Sequence, residues 1–476
     1  MSLVLRRGLK MMSQMPKDPL VVVIGSTGTG KSKLAVNLAT KFNGEIINSD
    51  AMQMYKGLPI ITNKISEHER NGIKHHLLDF IGLGEAPWTV TQFVRESSRI
   101  IDDIRSRGKL PIVVGGTHYY THALLFPDAT LTDEAGDAKP DVHTSTNREE
   151  DFPILSGPTE EIFQKLQEVD PEMASRWHPR DRRKIQRSLE IWLRTGRKAS
   201  EVYAEQEQRR LVDHDDYEGD QPGQVDGIST HEVVTGLRFP TLLLWLEADD
   251  AVLKPRLNDR VDTMVKSGLV DEAVTLSKLD KALSRQGIPA NKSMGIWVSI
   301  GYKELQPWVD EHQTGVMDSA QPSATLTEAI ESVKAGTRRY AKRQNRYIRI
   351  RLANALQEAK QFNMLFALDC SDLTKWDSEV SEHAERLVQS FVSGDELPDH
   401  KSLSPLAGKL LTAADQSRSK SNRVAKTCDI CEKTMLTDKE WHLHLGSRGH
   451  KKMVAATRKR EMRSGENPPG ISLEDT

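Results

Sequence analysis

The sequence predicts an α/β core, a parallel sheet covered by helices, and three observations carry that reading. Short apolar or β-branched runs at Pro19 to Ile24, Leu110 to Val114 and Thr241 to Leu246 have the length and composition of buried strands. The first two end on glycine, at Gly25 and at Gly115-Gly116, and the first leads into the helical pattern Leu34, Val36, Leu38, Ala39. Helical stretches lie between the strands, and strands joined through helices pair in parallel.

Taken in order, residues 1–18 form an N-terminal extension, 19–127 the first part of the core and 128–240 an insertion. Within the insertion, Asp128 to Ser156 and Arg209 to Val233 lack an apolar period and read as mobile acidic loops. Between them, Thr159 to Gln208 reads as helices, with Ile162, Leu166 and Val169 and then Ile185, Leu189 and Leu193 at helical spacing. The core resumes over 241–392, a polar linker covers 393–422, a small module 423–463, and a tail 464–476.

A chain of 476 residues holds two or three domains, and its net charge of -2 conceals an uneven distribution. Basic residues crowd Arg338 to Arg351 and Arg418 to Arg463, offset by acids around Asp128 to Asp151 and Asp213 to Asp220. Three cysteines are too few for a secreted disulfide framework, and no apolar run approaches the roughly 20 residues of a membrane helix. The first residues carry Arg6, Arg7, Lys10, Ser2 and Ser13 and no acid before Asp18, which is the composition of a transit peptide and equally of a basic unstructured start. The expected locations are the mitochondrion and the cytoplasm, with the nucleus as a further compartment.

Gly25-Ser26-Thr27-Gly28-Thr29-Gly30-Lys31-Ser32 fits G-x4-G-K-[ST] between a strand and a helix, the context that makes the pattern a phosphate-binding loop in a P-loop NTPase-like core. Backbone N–H groups and the helix N-terminus converge on phosphate oxygens, Lys31 adds a point charge, and Ser32 suits Mg²⁺. By itself the loop defaults to nucleoside triphosphate chemistry. Asp50, in Asn48-Ser49-Asp50-Ala51-Met52-Gln53-Met54-Tyr55 after the strand Glu45-Ile46-Ile47, is an acid near that loop, suited to bind metal or accept a proton.

The ordered set of motifs resembles the tRNA dimethylallyltransferase (isopentenyltransferase) family. It comprises the phosphate loop, Asp50 to Tyr55, His75 to Asp79, Gly115 to Tyr120, His178 to Glu190, Arg256 to Met264, Ser299 to Glu304 and Thr337 to Gln344, across about Leu20 to Arg351. The resemblance implies transfer of a dimethylallyl group from dimethylallyl diphosphate to N6 of adenine 37, beside the anticodon of tRNA, giving N6-dimethylallyladenosine and diphosphate. N6 is a weak nucleophile, so a carboxylate accepting its proton lowers the barrier, and Asp50 is the candidate base. Negative charge grows on the leaving diphosphate, where preorganised donors stabilise the transition state. The resemblance places Thr117 at the diphosphate and Mg²⁺, and supplies an arginine from Arg256 or Arg260. Alone, Asp50 would read as a solvated acid, Thr117 as a helix cap and the arginines as surface ion pairs.

Between Lys334 and Arg351, basic residues alternate with Tyr340 and Tyr347, whose rings can stack on bases or pack on the core. The resemblance implies tRNA contact there, at Arg338, Arg339, Lys342 and Arg343, and in the insertion at Arg182, Arg183, Lys184, Ile185, Gln186 and Arg187. It implies the same for Asp50, Ala51, Met52 and Gln53, with Gln53 bonding the adenine edge.

Cys428-x2-Cys431-x12-His444-x5-His450 has zinc-ligand spacing; His442 is a rival with unusual spacing. The module resembles the matrin or U1-like C2H2 zinc finger of eukaryotic members of the family. Cys370 reads as a buried thiol. The expected partners are the tRNA anticodon stem-loop and dimethylallyl diphosphate, with Mg²⁺ and structural Zn²⁺, no membrane and a monomeric chain. Two other functions fit parts of the sequence: an isopentenyltransferase for free adenine nucleotides, which needs neither insertion nor finger, and a zinc-finger RNA-binding protein with a switching phosphate loop, which leaves Asp50 and Thr117 unexplained.

Overall fold

The computed structural model describes residues 16–127, 152–204, 236–287, 290–313, 324–416, 426–431, 433–435 and 438–455. The N-terminal basic segment and nearly all of both acidic stretches, and with them their expected mobility, lie outside these residues. Chain contacts divide the protein into one unit within 1–132 and 228–418 and another within 133–227 and 419–476.

The first unit is built on six parallel strands: β1 (Leu20–Gly25), β2 (Gly44–Asn48), β3 (His75–His76), β4 (Leu110–Val114), β5 (Thr241–Glu247) and β6 (Leu365–Asp369). Their order across the sheet is β3-β2-β4-β1-β5-β6. Side chains alternate faces along a strand, and β1 shows the consequence. Leu20, Val22 and Ile24 enter one apolar core, while Val21 and Val23 enter another on the opposite face. Both faces are therefore covered by helices, which is why the strands read as unbroken apolar runs. The covering helices include α1 (Lys31–Lys41), α2 (Val90–Ser106) and α3 (His118–Leu125).

Chain leaves the unit after α3 and returns at Leu237, which is buried, so the core resumes slightly before Thr241. The Arg238 N–H donates to Leu125 O (2.7 Å) and its Nε to Leu124 O (3.1 Å), joining the exit and re-entry points.

The inserted piece of the second unit contains α4 (Thr159–Val169), α5 (Pro171–Arg176) and α6 (Arg182–Thr195). Leu155, Ile162, Leu166, Ala174, Ile185 and Leu189 make its own core. Buried Asp170 caps α5 through the Met173 N–H (3.0 Å) and accepts from the Ser200 N–H (2.8 Å), so a buried charge is satisfied by backbone donors.

Back in the first unit, α7 (Asp250–Lys266), α8 (Leu269–Arg285), α9 (Tyr302–Gln313) and α10 (Ala324–Tyr347) follow β5. After α11 (Ala353–Glu358) and β6 come α12 (Glu382–Ser393) and α13 (Pro405–Gln416). Helix α13 corrects the expected linker: Ala407 and Leu411 reach the core, and the polar residues around them conceal a short apolar stripe. A hairpin of β7 (Lys426–Cys428) and β8 (Lys433–Met435) followed by α14 (Asp438–Leu445) forms the terminal module. Among the described residues no helix is long and apolar enough to cross a membrane.

Candidate active site

The phosphate loop, Asp50 and Thr117 gather at the C-terminal ends of β1, β2 and β4, where a doubly covered parallel sheet opens. The phosphate loop joins β1 to α1, and Gly30 takes the N-cap of α1 at φ 85°, a left-handed conformation that a side chain would strain. A Cβ at Gly30 would also lie 2.5 Å from the Trp376 ring, so glycine is needed on two counts. Within the loop, Thr29 Oγ1 and Lys31 Nζ donate to Ser26 O at 2.8 and 2.7 Å. Burial, partly offset by the charge of Asp50, pushes the Lys31 ammonium down to about 8.

Asp50 is held by its neighbours on the chain. Buried Asn48 accepts from the Asp50 N–H (3.0 Å) and donates to Leu77 O (2.8 Å), while Asp50 Oδ1 accepts from the Met52 N–H (3.0 Å). Dense surroundings raise the Asp50 pKa above the ordinary carboxylate value. The Met52 N–H, the Lys31 charge and the Gln53 and Gly116 N–H groups oppose that rise without cancelling it.

Thr117 precedes α3 but makes no side-chain cap; its Oγ1 accepts instead from the Ala51 N–H (3.0 Å), tying the Asp50 loop to the Gly115-Gly116 turn. The two arginines of α7 separate. Arg256 donates to Cys370 O (3.1 Å) and Ser371 O (3.0 Å), which commits it to the end of β6. Arg260, one helical turn later, is charge-coupled to Asp50 and Lys31, and burial lowers its pKa. The charge of Arg260 bears on Lys31, and that of Asp50 bears on Arg260. Gln53 donates to Asn63 O (3.1 Å), so its amide nitrogen is engaged within the protein.

Helix α10 has two faces. Arg339, Lys342, Arg343, Arg346, Arg349 and Arg351, running on past its end, are exposed, whereas Arg338 donates to Asn258 and Lys334 pairs with Asp262 at 2.8 Å. The inward face carries Val333, Ala341 and Ile348, all buried, and with them the polar Gln344. Tyr340 belongs to the protein interior: its hydroxyl donates to Gly116 O (3.2 Å), and burial carries its pKa far above the usual range. Tyr347 likewise shares a hydrogen bond with His122 Nδ1 (3.1 Å).

Sequence reasoning missed several of these residues. Gln344 closes the motif Thr337 to Gln344, and its signal is a glutamine on an apolar helical stripe. His118 is buried near Lys31, and desolvation holds it neutral, down to about 3. Glu247, at the end of β5, accepts from Trp245 Nε1 (3.0 Å) and Asn345 Nδ2 (2.5 Å), and burial raises it to about 7.

In the inserted helices, two of the residues expected on RNA serve the fold. Arg182 donates to Leu155 O (2.9 Å) and Gly157 O (2.6 Å), and Ile185 is fully buried because it falls on the apolar stripe of α6. Lys184 pairs with Asp181 (2.9 Å) and Arg187 with Glu190 (3.2 Å), both leaving their charge near the surface. Gln186 is half-buried, and the Arg183 side chain lies outside the described residues.

The terminal module brings Cys428, Cys431, His444 and His450 together, with their ligand atoms all within 4.8 Å of one another. His442 is not in the cluster. His444 Nε2 is buried without a hydrogen-bond partner, and His450 Nδ1 lies 3.4 Å from Cys431 Sγ. Two thiols and two imidazoles at such spacing suit a tetrahedral metal ion.

The sequence pattern of the IPP transferase family matches residues 53–351. The chain is 35% identical to the tRNA dimethylallyltransferase of Schizosaccharomyces pombe, over 94% of this chain and 97% of that one. It is 36% identical to the mouse tRNA dimethylallyltransferase, over 91% and 85% respectively. Among solved structures, one described as a eukaryotic dimethylallyltransferase acting on tRNA aligns with a TM-score of 0.72 at 33% identity, over 94% of this chain and 100% of that one.

Proposed function

This chain belongs to the IPP transferase family, and from that premise we propose that it transfers a dimethylallyl group from dimethylallyl diphosphate to N6 of adenine 37 in tRNA. The observation that carries the reading is the pairing, in one site, of a raised-pKa carboxylate, Asp50, with the cationic Lys31 and Arg260 above a phosphate loop. A nucleoside triphosphatase needs the loop but not a base of this kind facing a second substrate.

In the reaction the allylic C1–O bond breaks and an N6–C1 bond forms, while the N6 proton passes to Asp50. A raised pKa brings the carboxylate closer to the basicity that proton removal at neutral pH requires. Loop amides, Lys31 and Arg260 receive the charge that grows on the leaving diphosphate, in surroundings where such interactions are strong. Ser32 and Thr117 would hold Mg²⁺, which when bound adds a further positive charge at the diphosphate. Arg256 is a structural residue in this scheme.

The exposed stripe of α10 is suited to the tRNA backbone, with Lys184 and Arg187 as a second contact and Asp50 to Gln53 beside the target base. An anticodon-loop adenine is already partly unstacked, so its extrusion into a pocket costs little. The cysteine and histidine cluster takes Zn²⁺, whose preference for soft tetrahedral donors matches the set. The basic N-terminus supports delivery to mitochondria alongside a cytoplasmic population.

Labelled dimethylallyl diphosphate, offered with tRNA and AMP side by side, tests the reading: label should enter tRNA and not AMP. Asp50→Ala should cut single-turnover transfer by about 10²–10⁴-fold at saturating substrates. Label in AMP alone, or an unimpaired Asp50→Ala, would defeat it.

A further inference from the structure

Gln344 is 4% exposed and spends both ends of its amide on backbone groups of the site. Its Oε1 accepts from the Thr27 N–H in the phosphate loop (2.8 Å), and its Nε2 donates to Gly116 O (2.9 Å). The Gly116 carbonyl is gripped a second time by the Tyr340 hydroxyl, while the N–H of the same residue serves the Asp50 carboxylate. A Cβ at Gly116 would lie 2.6 Å from Gln344 Nε2 and 2.8 Å from Asp50 Oδ2, so a larger residue there would displace these two side-chain ends.

Hydrogen bonds therefore run from Thr27 through Gln344 to Gly116, whose N–H faces the Asp50 carboxylate. Only a side chain of this length that both accepts and donates can make the central link. Glutamate cannot donate to the carbonyl, and asparagine is one methylene short.

We infer that Gln344 is a positioning residue for prenyl transfer, setting the distance between the phosphate loop and the Asp50 carboxylate by holding one peptide of each. The inference rests on the transfer reading above. Reacting atoms must approach within about 3–3.5 Å, and a shift near 1 Å can cost roughly 10²-fold in rate. One amide spanning the donor side and the acceptor side is placed to prevent such a shift.

The groups that face Asp50 are Lys31 of α1, Arg260 of α7 and Tyr340 of α10, besides the Met52, Gln53 and Gly116 N–H groups. Loosening Gly116 removes one donor from the carboxylate and leaves the cations in place, so Asp50 should ionise at higher pH.

The test is single-turnover transfer against pH at saturating tRNA and dimethylallyl diphosphate, for Gln344→Ala, Gln344→Asn, Gln344→Glu and Tyr340→Phe, with tRNA affinity and melting temperature measured alongside. The expected result is a rate 10- to 100-fold lower in the three Gln344 variants, with the acid limb of the profile displaced to higher pH and tRNA affinity within twofold of the parent. Tyr340→Phe removes the second grip on Gly116 together with the hydroxyl's contact with Thr117, and should displace the limb the same way, but less.

Unchanged rates and profiles would overturn the inference. So would slower transfer with an unmoved acid limb and a matching loss of tRNA affinity, or an unmoved limb in Tyr340→Phe. If the parent protein itself made no transfer to tRNA, the functional reading would fail instead, which is a different result.

Discussion

At the scale of single residues, Lys31 makes the donor site sensitive to alkali. Its pKa, held down to about 8 by burial, means that the free site loses its ammonium charge as pH passes that value. Diphosphate binding favours the charged form, so binding above pH 8 takes up a proton and its affinity falls, by up to tenfold per unit. Titration calorimetry with inorganic diphosphate at fixed Mg²⁺, at pH 7 and pH 9, checks this; equal affinities would show that Lys31 stays charged throughout.

Arg256 and Arg260 provide a second contrast. Arg260→Ala should slow transfer about 10²–10³-fold with the melting temperature little changed. Arg256→Ala should mainly destabilise, by about 1–2 kcal/mol, since its bonds go to Cys370 and Ser371 carbonyls. Steady-state rates and thermal melts of the two variants separate these roles. The sequence left the two open because residues four apart share a helix face, and only the position of β6 divides them. Gln344 was illegible for a related reason: its partners, Thr27 and Gly116, are 317 and 228 positions away.

At the scale of elements, strand-loop-helix order around the phosphate loop was legible because buried parallel strands are unbroken apolar runs, and β1, β4 and β5 fall where expected. Two-residue β3 was not, since so short a pairing leaves no pattern. In α6 the helix period Ile185, Leu189, Leu193 was legible and sends Ile185 inward, while Arg182, within the basic run, turns onto carbonyls. Helix α10 shows the reverse, a basic stripe that remains exposed. If Arg339 and Arg343 meet phosphates, replacing either by alanine should lower tRNA affinity and reduce the slope of log affinity against log salt by about 1. Filter binding between 50 and 200 mM salt measures it; an unchanged slope removes that residue from the interface.

At the scale of the whole molecule, the terminal module has its own hairpin and helix, and its ligand cluster is the set that the spacing of four residues implied. Deleting 427–476 should raise the apparent KM for tRNA while leaving single-turnover transfer at saturation close to that of the full chain. Loss of that rate in a folded truncation would assign the module to the chemistry itself.

The joined stems at Leu125 and Arg238 carry a consequence for engineering. Because the chain leaves and re-enters the sheet unit through hydrogen-bonded neighbours, a loop of a few residues can close the gap between them. Closing a short loop costs less entropy than closing a long one. The whole stretch between the stems can thus be treated as an exchangeable cassette. A core carrying only a short glycine bridge there would still fold and bind diphosphate, and inserted segments from relatives could then be compared on one constant catalytic body.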